Sequence, residues 1–216
     1  MIATTQARPR LTGIEIGADR ESWSSAGFSV VDGFIDVAGV RIELTAAPPG
    51  VAALRFDELP DDVGALDGIP LEIGEPGPST EHPNGAIAID QVVVATPEFE
   101  RTASQLERMG LPLKREAVRP LDDDSETQVR QGFVRAGGAV IELVHTDRVP
   151  RGPAHVWGLG FISDRFDQAL VDLDGLIGPA RAAIQPGRRI ATFARDARLG
   201  LPVVLLDPEP SARQGG

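Results

Sequence analysis

The chain has no cysteine and a single lysine, Lys114. Without thiols there are no disulfides, no thiolate metal sites and no cysteine nucleophile, and nothing points to export. No apolar run approaches the roughly eighteen residues needed to cross a bilayer, so no membrane span is expected. The opening residues, MIATTQARPR, lack the apolar core of a signal peptide, which makes a cytoplasmic location the default expectation. A phosphate loop, a dinucleotide glycine fingerprint, a GxSxG elbow and an HExxH helix are all missing. Basic residues number 21 against 32 acidic ones, for a net charge of −11, so neither nucleic acid nor an anionic membrane is an expected partner.

The 216 residues, 42% hydrophobic and 25% charged, suit a soluble globular chain of one large or two small domains. The sequence turns about residues 82–97, HPNGAIAIDQVVVATP. Gly85 marks a turn, and Ala86–Ala95 is apolar except for Asp90 and Gln91, which predicts a buried strand. A side-chain amide inside such a strand needs partners, so Gln91 is either hydrogen-bonded structure or part of a site.

Upstream, strands are predicted at Leu11–Gly17, Phe28–Val37, Gly39–Thr45, Val51–Phe56 and, at an edge, Ile69–Ile73. Ala18–Gly27 reads as a short helix capped by Asp19 with Trp23 facing inward, and Pro60–Leu66 as a helical turn. Downstream, Thr96 is expected to cap a helix whose apolar face is Phe99, Ala103, Leu106 and Met109, ended by Gly110. Strands follow at Leu113–Val118, Gln128–Ala136, Ala139–His145 and Val156–Ile162. A helix from Asp164, capped by Ser163, and a hairpin of Ile190–Arg195 with Pro202–Leu206 close the pattern.

The order strand, helix, three strands thus occurs twice, from Ile87 to His145 and from His155 to Leu206. A shorter, damaged copy precedes them. Strand endings repeat as Gly39–Glu43, Gly138–Glu142 and Gly200–Val204. Such repetition suggests a duplicated supersecondary unit, and pairing two units buries an apolar face and an edge of each.

Paired βαβββ modules, the polar Asp90-Gln91 early in a first strand and Ile141-Glu142-Leu143 in a fourth strand resemble the vicinal oxygen chelate superfamily, which includes glyoxalase I, extradiol dioxygenases, epimerases and antibiotic-binding resistance proteins. The resemblance implies an α+β fold of tandem βαβββ modules forming curled mixed sheets around a cup, with the first pair degenerate. The expected division is a flexible tail at 1–10, a degenerate module pair at 11–85, a complete pair at 86–208 and a tail at 209–216.

The resemblance also implies a divalent ion (Zn, Ni, Mn or Fe) held by one residue from the first and one from the fourth strand of each module. Gln91 and Glu142 stand at two of these positions; Gly158 and Val204 stand at the others and cannot ligate. Gln91 and Glu142 are therefore metal ligands of an incomplete set or a hydrogen-bonded pair inside the cup, with Glu142 the candidate catalytic group. His155 is an alternative ligand only through a shifted register. Glu43 reads as a salt-bridged strand residue, His82 as an exposed loop residue and His145 as a surface histidine. Trp157 and Phe161 are candidates for lining a ligand pocket. Arg188 and Arg189, with Arg195 and Arg198 nearby, are candidates for clamping a carboxylate or phosphate. Two functions stay open: a protein that binds a small-molecule ligand without chemistry, or a metal-dependent lyase, isomerase or dioxygenase. A homodimer is compatible with either.

Overall fold

The computed structural model describes residues 8–121 and 126–209. The terminal residues of both expected tails and most of the acidic run at 122–126 lie outside that range. No helix is long and apolar enough to cross a membrane, among the described residues.

The first part of the chain gives β1 (Leu11–Gly17), α1 (Arg20–Ser25), β2 (Phe34–Val37), β3 (Val40–Thr45), β4 (Gly50–Phe56), β5 (Ala65–Leu66) and β6 (Ile69–Ile73). These strands form one sheet in the order β2-β3-β1-β4-β6-β5. β1 runs parallel to β3 and β4 parallel to β6, while β1 and β4 meet antiparallel at the centre. Each half keeps the parallel first and last strands of a module but has fewer strands than a complete one, and the second half has no helix. The pair is a degenerate one. Asp19 caps α1 by accepting the Ser22 N–H at 3.0 Å, which leaves the short helix free to plant Trp23 in the core.

The second part gives β7 (Ala86–Ala95), α2 (Phe99–Arg108), β8 (Arg115–Pro120), β9 (Gln128–Ala136), β10 (Ala139–His145), β11 (His155–Ser163), α3 (Phe166–Asp172), β12 (Arg181–Ala182), β13 (Arg189–Thr192) and β14 (Val203–Leu206). The sheet order is β12-β13-β14-β11-β7-β10-β9-β8. Within each module the first strand pairs parallel with the fourth, and β7 and β11 join the modules antiparallel. The run Val92–Val94 sits mid-sheet, as its apolar pattern predicts, because β7 has a strand on each side. β7 makes its ladder within this sheet only; the preceding turn makes the link to the first half. There Asn84 Nδ2 donates to the Ala26 carbonyl at 3.0 Å and Asn84 N to the Gly27 carbonyl at 3.0 Å.

Several local expectations are corrected. The α2 first turn begins at Phe99, and Thr96 Oγ1 accepts the Glu98 N–H at 3.0 Å ahead of it. Ser163 is the last residue of β11, and its hydroxyl donates to the Asn84 carbonyl at 2.7 Å rather than capping α3. The segment at Pro60–Leu66 makes a single turn, in which the Val63 N–H donates to the Pro60 carbonyl at 3.0 Å, and then ends in strand β5. His82 is buried, not an exposed loop residue: Nδ1 accepts the Ser29 N–H at 3.1 Å and Nε2 lies 3.2 Å from the Asp36 carbonyl.

A single apolar core runs through both sheets. At its centre Trp23, Phe28 and Phe161 pack with ring centroids 4.9–6.3 Å apart, and the Trp23 indole N–H donates to the Leu199 carbonyl at 3.2 Å. Burying such side chains is worth about 1.5–3 kcal/mol each, so these contacts hold the two halves together.

Candidate functional site

The concave face of the eight-stranded sheet follows from strand register. Directly paired residues share a face, and residues alternate along each strand. Gln91 pairs with Val140 on β10 and Gly160 on β11; Glu142 pairs with Val93; Gly160 pairs in turn with Val204 on β14. These residues converge: a Cβ at Gly160 would stand 3.2 Å from Gln91 Cγ, 3.4 Å from Val204 Cγ2 and 3.1 Å from Leu206 Cδ1. Glycine keeps the floor of the cup low.

Glu142 is buried at this face, and burial pushes its carboxyl above the ordinary value of 4.5. The Gln131 side-chain amide on β9 donates to Glu142 Oε1 and works against that rise. Arg119 Nε donates to Gln131 Oε1 at 2.9 Å, which fixes the amide's orientation. Asp90 adds a raising effect through its charge. Its presence follows from a bulge: Gly160 pairs with Gln91 and Phe161 with Ile89, so Asp90 has no partner across the ladder. Asp90, Gln131 and Arg119 escape sequence reasoning. Asp90 carries a visible signal in its adjacency to Gln91, but nothing local announces the bulge.

The expected arginines part company. Arg188 is buried, with its side chain 4% exposed; Nε donates to the Asp207 carbonyl at 3.0 Å and Nη1 to Asp90 Oδ1 at 3.2 Å. Its Nη2 is buried without a hydrogen-bond partner among the described residues. Arg189 is held by Asp207 at 2.8 Å and Asp167 at 2.7 Å and lies over the Phe166 ring, 4.9 Å from its centroid, as a strut between β13 and α3. The two aromatics also separate. Phe161 is fully buried in the core, whereas Trp157 is 56% exposed, and a register shift falls between Val156 and Gly158.

A four-ligand metal set does not fit these residues. Gly158 pairs with Val93 and Val204 with Gly160, which leaves the second module without a donor at either position. A Cβ at Gly158 would meet the Pro202 carbonyl oxygen at 3.0 Å. His155 is exposed at the start of β11, opposite Ala95. His145 Nδ1 lies 3.0 Å from the Thr96 carbonyl oxygen, away from the pair. No three His, Cys, Asp or Glu gather to hold an ion, among the described residues. Two donors fall short of the three or four that hold a transition metal.

The concave face of the six-stranded sheet is closed by charge. Arg55 reaches Glu15 at 3.2 Å, Glu43 at 2.8 Å and Glu72 at 2.9 Å. Glu43 is thus salt-bridged, and Glu72, in Gly68-Ile-Pro-Leu-Glu72, repeats the strand ending that Glu43 and Glu142 share. At the junction of the two halves lies a cleft of about 1340 Å³, walled by Trp157, Phe193, Arg20, Arg195 and Arg198 among others; neither Gln91 nor Glu142 lines it.

Solved structures share this architecture. A triple mutant of 4-hydroxymandelate synthase from Streptomyces coelicolor matches with a TM-score of 0.64 at 14% identity, over 93% of this chain and 93% of that one. A xylose isomerase-like TIM barrel/4-hydroxyphenylpyruvate dioxygenase fusion protein matches with a TM-score of 0.58 at 10% identity, over 96% of this chain and 51% of that one. The methylmalonyl-CoA epimerase of Mycobacterium tuberculosis matches over 60% of this chain and 93% of its own, at 18% identity and a TM-score of 0.47. No protein-family model and no curated protein matches the sequence. The class is therefore defined by structure: an α+β protein of paired βαβββ modules. Its fold is that of the vicinal oxygen chelate superfamily.

Proposed function

We propose that the chain is a glyoxalase-like protein that binds a small organic molecule in the cup of the eight-stranded sheet, with an incomplete metal set. Glu142 carries the reading: a carboxyl buried in a concave face, raised by that burial, with Gln91 two pairs away on the adjoining strand. A buried acid with raised proton affinity can take a proton from a bound carbonyl compound or return one. Gln91 offers an amide to the same ligand, and Arg188 Nη2 offers a donor to an anionic group beside it. On this reading residues 11–85 are a degenerate pair whose cup is filled by Arg55, and 86–208 are the working pair.

The retained pair Gln91 and Glu142 favours a second reading, a lyase, isomerase or dioxygenase using Zn, Ni, Mn or Fe. That reading needs further ligands that Gly158 and Val204 do not supply.

Two measurements test the site. The names of two fold neighbours supply probes: 4-hydroxyphenylpyruvate and 4-hydroxymandelate, titrated into labelled protein and followed by NMR. Saturable shifts centred on Gln91, Glu142 and Gly160, lost in Glu142→Ala, are expected; shifts that are absent or unaffected by Glu142→Ala overturn the cup as the site. Calorimetry with Zn²⁺, Ni²⁺, Mn²⁺ and Fe²⁺ is expected to show no submicromolar binding. Submicromolar binding abolished by Glu142→Ala puts the metal-dependent reading first.

A further inference from the structure

The cup leaves the cleft of about 1340 Å³ at the junction of the two halves unexplained. We propose that the cleft at the junction of the two halves is a second binding site, for an amphipathic small-molecule anion with a planar or apolar body and a carboxylate or phosphate.

Three arginines border it: Arg20 at the start of α1, Arg195 on a short 3-10 turn and Arg198 directly after that turn. All three are exposed, and none has a carboxylate within salt-bridge distance among the described residues. Other arginines, Arg108, Arg135 and Arg181 among them, also stand outside the ion pairs of the described residues, so what distinguishes these three is that they border one cleft. Arg10, Arg41, Arg55, Arg101, Arg130 and Arg189 each have a carboxylate within 3.2 Å. The two acidic residues in the cleft wall are already engaged. Asp19 accepts the Ser22 N–H and hydroxyl, and Glu43 is bound to Arg55. These partners leave both carboxylates charged, so three guanidinium groups stand against two acids and the wall keeps a positive surplus for a ligand.

The rest of the wall supplies the other half of the recognition. Trp157 leaves 56% of its surface uncovered beside Phe193, Pro202 and the Ala46–Ala47 turn. An indole face beside guanidinium groups suits a ring or acyl body that ends in an anion. At about 1340 Å³ the cleft admits a molecule of cofactor size. It is distinct from the cup, whose Gln91 and Glu142 do not line it.

The chemistry is testable with one ring carrying three head groups: 2-naphthoate, 2-naphthyl phosphate and the neutral 2-naphthol. Binding is read by calorimetry and by Trp157 emission, with Trp157→Phe as the blank for the second. At least one anionic probe should bind saturably and at least tenfold more tightly than 2-naphthol, and the preferred head group then separates a carboxylate ligand from a phosphate one. Arg195→Ala with Arg198→Ala should weaken the anionic probe at least tenfold while leaving 2-naphthol binding and the melting temperature unchanged, since both side chains are exposed. Glu142→Ala should leave binding unchanged, which keeps this outcome separate from that of the cup. Equal affinity for the neutral probe, indifference to the double substitution, loss of binding in Glu142→Ala or no saturable binding of either anion each overturn the proposal.

Discussion

Asp67 and Arg101 are joined by two hydrogen bonds, Nε to Oδ1 at 2.7 Å and Nη2 to Oδ2 at 3.0 Å, which fasten the outer hairpin of the six-stranded sheet to α2 of the other half. The Thr102 hydroxyl donates to Asp67 Oδ2 at 2.6 Å, Thr96 Oγ1 lies 3.3 Å from the same oxygen, and the Asp67 N–H donates to Gln105 Oε1. The carboxylate is 7% exposed, so water cannot replace these partners.

Asp67→Asn keeps the turn shape but removes the charge and one acceptor. A destabilisation of about 1.5–3 kcal/mol is expected, the range for a hydrogen bond to a charged group. Urea unfolding measures it, and Arg101→Met, which leaves the buried carboxylate charged and without its cation, should cost at least as much. Equal stability of Asp67→Asn and the parent protein would show that this carboxylate contributes nothing to holding the halves together.

Glu142 makes stability depend on pH in one direction. Its folded carboxyl holds the proton above the ordinary 4.5, so beyond that value the unfolded chain loses its proton first and stability falls as pH rises. Glu142→Gln lacks this drain. Its melting temperature should gain on the parent between about pH 4 and neutrality; parallel curves across that range would contradict a raised carboxyl.

His82 acts in the opposite sense. Burial lowers its pKa below 6.5, so the folded imidazole stays neutral while the unfolded one protonates, and stability is lost as pH falls through 6.5. His82→Gln should be less stable at pH 8 yet flatter below pH 6.5 in a thermal-melt series. The same slope with and without the histidine would place the titrating group elsewhere.

Much of this architecture is readable in the sequence. Strands β9 and β10 match their predicted limits to the residue, because the alternation of β9 and the apolar run of β10 each stop at glycine or polar turns. The ending Gly-x-x-x-Glu, shared with Glu43, marks Glu142 as the acid of a fourth strand. What the sequence hides depends on distant partners. His82 is buried through Ser29 and Asp36, 53 and 46 positions upstream. Arg188 finds Asp90 98 residues away, and only after a bulge has turned that carboxylate toward it. Strand β12 has two residues, too few for any period to show. Thr96 has the sequence pattern of a helix cap, but its hydroxyl accepts the Glu98 N–H at 3.0 Å while the helix itself starts only at Phe99.

The two concave faces balance their acids differently. Glu142 has no cation at ion-pair distance among the described residues; burial raises its carboxyl, and the Gln131 amide and the more distant Arg119 work against that rise. Glu15, Glu43 and Glu72 share Arg55, a counter-ion on a tether. A tethered ion has an effective concentration fixed by the chain itself. Dialysis cannot remove it and a chelator cannot compete for it; what loosens this cluster is acid, which protonates the glutamates, or salt, which screens the pairs.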